Sequence, residues 1–159
     1  MSLIDYVNRK YDYLSFQNVR PAGDAKLGLE LFNSKSNGQI CVGVQKLSQR
    51  WLLEFMTELG SMPGLPERGT NFVSAVRRGL INNAVAAASA FTIESMLVQR
   101  NLQNEEYEDM PDDERLSGAE LLSVSFLPSY LRMGIKINSI AGTAREVILP
   151  ISTLPTSDV

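Results

Sequence analysis

The chain has 159 residues, 44 % of them hydrophobic and 21 % charged, a balance that suits one folded domain rather than a disordered chain. It contains no histidine and a single cysteine, Cys41, which removes histidine acid–base chemistry, Ser-His-Asp and Cys-His arrangements, intramolecular disulfides and zinc clusters. The net charge of −3 is unevenly placed: residues 1–104 hold 11 basic and 8 acidic side chains and residues 105–159 hold 4 and 10, with no basic patch to suggest nucleic acid.

No apolar run reaches the roughly 18 residues of a bilayer span, so no membrane partner is expected. The opening MSLIDYVNRKYDYL carries acids and tyrosines where a secretory leader needs a basic and then an apolar stretch. A chain made and used in the cytoplasm, or in an assembly built there, is the expectation. Residues 1–25 are polar and irregular, with Arg20-Pro21-Ala22-Gly23 as a turn signal; they read as an arm that docks on a neighbour or as a frayed end. One α+β domain is expected over residues 26–155.

LGLELFN, residues 27–33, alternates Leu27, Leu29 and Leu31 with Gly28, Glu30 and Phe32, a strand pattern. Asn37-Gly38 is a strong reversal signal, and QICVGV reads as the returning strand of a hairpin. Cys41 lies in that apolar run and reads as a small buried hydrophobe. Leu47, Trp51, Leu52, Phe55 and Leu59 then share one helix face, predicting a helix over 43–59 that stops at Gly60. Trp51 and Phe55 read as core, with an interface anchor as the alternative.

TELGSMPGLPERGT, residues 57–70, holds three glycines and two prolines. A phosphate-cradling loop needs its glycines after a strand and a Lys-Ser/Thr at its end. Here the glycines follow a helix and no lysine follows, so a structural turn is expected, with Thr70 or Asn71 capping the next helix. A short helix, NFVSAVRRGL, ends in Arg77-Arg78, which reads as a solvated end or as half of an interface ion pair. A long central helix follows, its stripe assigned to Ile81, Val85, Ala88, Phe91, Ser95, Val98 and Leu102. Five alanines between 84 and 90 keep it thin.

EEYEDMPDDE, residues 105–114, lacks the ligand spacing of a calcium loop and reads as a solvated loop, with docking to a basic partner as the alternative. The last third predicts an antiparallel meander. Its inward residues are assigned as Leu122, Val124 and Phe126, then Leu131, Met133, Ile135 and Ile137, then Val147, Leu149 and Ile151. Pro150 marks the last strand as an edge.

The order of hairpin, helix, Gly/Pro turn, two helices, acidic loop and meander resembles the lysozyme-like baseplate wedge family of contractile phage tails. Members of that family initiate the tail sheath, and they have counterparts in type VI secretion baseplates. The resemblance covers roughly residues 40–151. It rests on Gly43-Val44-Gln45-Lys46-Leu47 opening a helix that ends at Thr57-Glu58-Leu59-Gly60-Ser61, on Pro66-Glu67-Arg68-Gly69-Thr70, and on Asp113-Glu114-Arg115-Leu116 before a strand. The family turn is proline, any two residues, Gly-Thr, which maps onto Pro66, Gly69 and Thr70. The third motif usually reads Glu-Pro-Arg and an aliphatic residue, and of its three named residues only Arg115 agrees; the resemblance implies that Arg115 anchors the loop between long helix and sheet.

The implied role is a non-enzymatic structural component of a contractile tail baseplate in the virion, assembled in the host cytoplasm. Its implied partners are other wedge proteins, the sheath protein and the tail tube, with no cofactor and no metal. The strand around Val147, Leu149 and Ile151, or the N-terminal arm, would offer an edge to the sheath. Two alternatives stand beside it. One is a generic soluble adaptor. The other is a cell-wall glycosidase, which would need two facing carboxyls roughly 5 to 9.5 Å apart; Glu54, Glu58 and Glu94 are the acids on predicted helices.

Overall fold

The structure, a computed structural model, describes residues 12–13 and 40–153. In chain order it forms β1 (Asp12–Tyr13), β2 (Ile40–Cys41), α1 (Gly43–Met56), α2 (Phe72–Arg77), α3 (Ala84–Asn104), β3 (Leu116–Phe126), β4 (Tyr130–Ser139) and β5 (Ala144–Ser152). The architecture is α+β. The antiparallel sheet β3-β4-β5 carries α1 across β4 and β5, while α3 runs along β3 and packs on α1.

Of the expected hairpin only part of the returning strand lies within the described residues. Among the described residues of QICVGV only Ile40–Cys41 is strand, and it pairs antiparallel with β1, Asp12 standing opposite Cys41. The expected partner, residues 27–33, and the turn at 34–38 lie outside the described residues. The strand stops because the helix is pinned early: the Gly43 N–H donates to a carboxylate oxygen of Glu114 at 3.1 Å.

The C-terminal end of α1 also falls short of the predicted Leu59. Thr57 is extended (φ −70°, ψ 132°), and its carbonyl accepts from Thr70 N–H at 2.8 Å. Leu59 N–H donates to Thr70 O at 3.0 Å, so strand-like pairing with Thr70 draws the chain out of the helix. Leu59 is accordingly exposed rather than on the core face.

Leu47, Trp51, Leu52 and Phe55 of α1 are buried as their spacing predicts. Trp51 stacks on Phe55 with centroids 4.8 Å apart, and Phe72 and Phe91 close the cluster at 5.0 and 5.7 Å from Phe55. Burial of each such side chain stabilises the fold by on the order of 1.5–3 kcal/mol, and offset or tilted ring pairs add a fraction of that.

Of the stripe predicted for α3, Ile81, Phe91, Val98 and Leu102 are buried, and the departure is at its start. Ala87, Phe91, Val98, Asn101 and Leu102 face the core, Ala88 and Ser95 are half-buried, and Val85 points to solvent. Asn83 caps the helix, its side-chain oxygen accepting from Ala86 N–H at 2.9 Å.

The meander forms with one buried face. Leu131, Met133, Ile135 and Ile137 of β4 and Val147, Leu149 and Ile151 of β5 all lie in the core. β3 departs from strict alternation. Register shifts between Leu116 and Gly118 and between Leu121 and Ser123 insert extra residues at 117 and 122. Leu122, expected inward, is therefore bulged out and exposed, while Ala119 and Leu121 pack inward before the bulge and Val124 and Phe126 after it.

Candidate functional site

Two buried carboxylates organise the face of the molecule where the expected motif residues lie. The first is Glu54 on α1. Its Oε1 and Oε2 accept from Arg68 Nε at 2.9 and 2.8 Å, and Oε2 accepts from Arg68 Nη2 at 2.6 Å. Oε1 also accepts from Gly69 N–H at 3.0 Å and Asn101 Nδ2 at 2.9 Å. Asn101 Nδ2 donates further to Glu67 O at 3.1 Å. Three segments, α1, the turn and α3, thus meet on one carboxylate. Burial pushes the Glu54 carboxyl up, but the hydrogen bonds from Arg68, Gly69 and Asn101 outweigh it and hold the group below its usual range. The Arg68 guanidinium is raised in turn, chiefly by its bond to Glu54.

The turn itself needs its glycine. Gly69 has φ 92°, and a Cβ there would stand 2.5 Å from Thr57 O and 2.9 Å from Glu58 C. A backbone carbonyl cannot step aside as a flexible side chain would, so both the dihedral and the space exclude a side chain. Thr70 is buried beside it; its hydroxyl donates to Phe55 O at 2.6 Å and accepts from Phe72 N–H at 3.4 Å. Asn71 is the N-cap position of α2 but bonds no helix N–H through its side chain, and Thr70 supplies that contact instead. Pro66 lies exposed in the loop, four residues upstream of Thr70.

The second carboxylate is Glu114, buried at the end of the acidic loop. It accepts from Gly43 N–H and, at 2.6 Å, from Lys46 Nζ. Val42, the N-cap position of α1, has no side-chain cap of its own, so Glu114 serves that end of the helix with both hydrogen bonds and charge. The rest of the acidic loop is only partly the solvated run expected of it. Glu105 pairs with Arg68 and, at 3.2 Å, with Arg50. Glu106 accepts from Leu116 N–H at 2.8 Å and from Arg115 Nε at 3.3 Å.

Arg115 makes its second contact with Asp112 at 3.3 Å and is partly exposed. Its carbonyl accepts from Ile140 N–H at 3.0 Å, while Asp112 O takes Ala141 N–H at 3.1 Å, which ties the loop to the turn between β4 and β5. The structure thus brings Gly69 and Thr70 to the Glu54 cluster and places Arg115 at the other end of the acidic loop, beside Glu106.

Val147, Leu149 and Ile151, in the strand assigned as a partner-binding edge, turn their side chains into the core, as their alternation predicts. Their backbone groups are taken as well. Thr153 N–H donates to Ser129 O and Thr143 O accepts from Ser139 N–H, so the odd-numbered positions of β5 turn their polar groups toward β4. The even-numbered positions, Ile148 among them, turn theirs outward, and Pro150 falls where its missing N–H breaks no ladder bond. Among the described residues β5 pairs only with β4.

For catalysis the geometry speaks to individual acids. Glu54 is held ionised by its donors, the opposite of what a general acid needs. Glu58, expected one turn on along the same helix face, lies beyond the end of α1 and is exposed. Burial raises the Glu94 carboxyl, partly offset by a hydrogen bond from Asn71 N–H. Burial, with the Asp12 charge behind it, pushes the Cys41 thiol up to about 11, which keeps it protonated and unreactive at neutral pH.

Sequence reading missed Glu54, Asn101, Lys46 and Glu114 as anchors. Asn101 carried one usable signal: it sits three residues past Val98 on the apolar stripe, where a polar residue needs a buried partner. The comparisons add no relative: no family model, no curated protein and no solved structure matches the chain.

Proposed function

We propose that this chain is a non-enzymatic structural component of a contractile-tail baseplate, joining wedge proteins to the tail sheath and templating its first ring. The reading starts from the resemblance of residues 40–151 to the baseplate wedge family. The observation that best supports it is the turn at 66–70. There Gly69 has no room for a side chain and Thr70 is buried against Phe55 O, so the positions that carry the resemblance are also the ones this fold requires. A rigid block with a terminal strand suits such a role, because strand addition supplies backbone hydrogen bonds and order without a deep pocket. The docking groups are the outward backbone groups at the even positions of β5 around Ile148, not the side chains of Val147, Leu149 and Ile151.

Deleting residues 145–159 would remove core side chains, so a finer change is needed. Ile148→Pro removes one outward N–H and leaves the ladder to β4 intact. With the fold retained by circular dichroism, loss of sheath nucleation is expected. Normal nucleation would sink the edge assignment. Affinity purification of the tagged chain from its native lysate tests the wider reading: sheath, tube and wedge proteins should accompany it, whereas a lone soluble protein would favour a generic adaptor.

A further inference from the structure

α3 has two apolar faces, and among the described residues only one of them is packed into the core. Opposite the buried Ala87–Phe91–Val98–Leu102 stripe lie Val85, Ile93 and Met96, which are 76, 70 and 67 % exposed. With Ser89 and Arg100 they fall at i, i+4, i+8, i+11 and i+15, one continuous face of a helix about 30 Å long. Scattered exposed apolar residues are ordinary, but three aligned on one helix face form a contact stripe. Further along the same face Met96, Gln99, Arg100, Gln103 and Asn104 line an open cleft.

The charges at the two ends of α3 differ in sign. Arg77 and Arg78 are exposed just before its N-terminus, and Glu108 and Asp109 are exposed just after its C-terminus. Among the described residues none of these four enters a salt bridge, whereas Glu105 nearby is spent on Arg50 and Arg68. A helix whose ends carry opposite unpaired charge is complementary to a second copy of itself laid antiparallel. The register that sets Ile93 of one copy against Met96 of the other places Ser89 opposite Arg100 and Val85 opposite Asn104. Val85 then enters the partner's cleft as a knob enters a hole. The small Ser89 lets the backbones approach, and the basic end of each copy meets the acidic end of the other, twice.

We infer that the outer face of α3 is a two-fold, antiparallel self-association surface, through which two copies of this chain form a dimer. The patch is small, so the dimer is a concentration-dependent one, of micromolar affinity or weaker. It holds whether or not β5 docks on a sheath strand.

Sedimentation equilibrium of the full chain over a range of concentrations tests it, with circular dichroism to verify folding. The wild type should show monomer and dimer. Ile93→Lys, at an exposed position that leaves the core untouched, should weaken the dimer by about 30-fold or more. Arg77→Glu with Arg78→Glu should weaken it by roughly tenfold at low salt, and adding Glu108→Arg with Asp109→Arg should restore it to within about threefold. A wild type that stays monomeric throughout overturns the proposal and leaves the stripe to a different protein. A dimer indifferent to Ile93→Lys overturns it by placing the contact elsewhere. Failure of the fourfold variant to recover overturns the antiparallel arrangement.

Discussion

Residues 57–70 and residues 105–115 both hang from α1 by a buried carboxylate, but in opposite senses. In the first, the helix supplies the acid, Glu54, and the loop brings Arg68 and the Gly69 N–H to it. In the second, the loop supplies the acid, Glu114, and the helix brings Lys46 and the Gly43 N–H. The first loop grips near the C-terminal end of α1, the second at its N-terminal end. The first is also sterically fixed through Gly69, whereas the second adds only the buried side chain of Met110 to its charges and hydrogen bonds. The difference teaches that an acid-rich loop is not by that fact a solvated one: the donors within reach decide which of its carboxylates is structural, the Gly43 N–H and Lys46 for Glu114 and the Leu116 N–H for Glu106.

The largest effect should come from the steric half of this contrast. Gly69→Ala forces a Cβ into Thr57 O and a left-handed dihedral onto an L residue, a cost of about 3–5 kcal/mol. Gly64→Ala, in the same loop with φ 80° but nothing within 4 Å of its Cβ, carries the dihedral cost alone, about 1 kcal/mol. Urea unfolding of the pair measures the gap. Equal losses would show that the turn yields around Gly69 and that the close approach to Thr57 is not a constraint.

The electrostatic half comes next. Glu54→Gln leaves Arg68 with only the half-exposed Glu105 as counter-charge and should cost about 3 kcal/mol at neutral pH. Glu114→Gln should cost about 2 kcal/mol, since it removes one charged pair and keeps part of the helix cap. Glu54 also sets a pH dependence. Its folded pKa lies below the ordinary 4.5, so its contribution is fully present above that value and is lost as pH falls through the folded pKa. Thermal midpoints recorded from neutral to strongly acidic pH should fall less steeply for Glu54→Gln than for the wild type. An unchanged acid limb would mean that other carboxylates carry it.

How much of this was legible depended on whether a signal was local. β4 reads plainly because its alternation is uninterrupted and one face is buried. β3 did not, because nothing near Leu122 announces the extra residue that turns it outward. The phase of α3 slipped at Val85 because alanines between 84 and 90 say little about which side is in. The turn at 57–70 was readable as a turn from its glycines and prolines. Its anchor was not, because Glu54 and Arg68 are 14 residues apart and Asn101 is 47 from Glu54. Glu114 lies 68 residues from Lys46, inside a run of acids that disguises it.

Arg115 offers the smallest expected effect. The resemblance gives it the most characteristic position of its motif, and a large role would follow if it closed the loop alone. Its contacts are two ion pairs at 3.3 Å to Glu106 and Asp112, the second of them with a mostly exposed carboxylate. The exposed Asp112 pair contributes roughly 0–1 kcal/mol, and the better-buried Glu106 is held by the Leu116 N–H as well. The loop keeps its other ties without the guanidinium: Glu106 on Leu116 N–H, Arg115 O on Ile140 N–H, and Glu114 on α1. Arg115→Ala should therefore lower stability by less than about 1 kcal/mol. Urea midpoints compared with Glu114→Gln decide between the two acids' neighbourhoods. A loss for Arg115→Ala as large as that for Glu114→Gln would move the anchor of the acidic loop from the carboxylate to the arginine. A small loss in the isolated chain, with weaker recovery of other baseplate proteins in the purification described above, would place the work of Arg115 at a neighbour's surface.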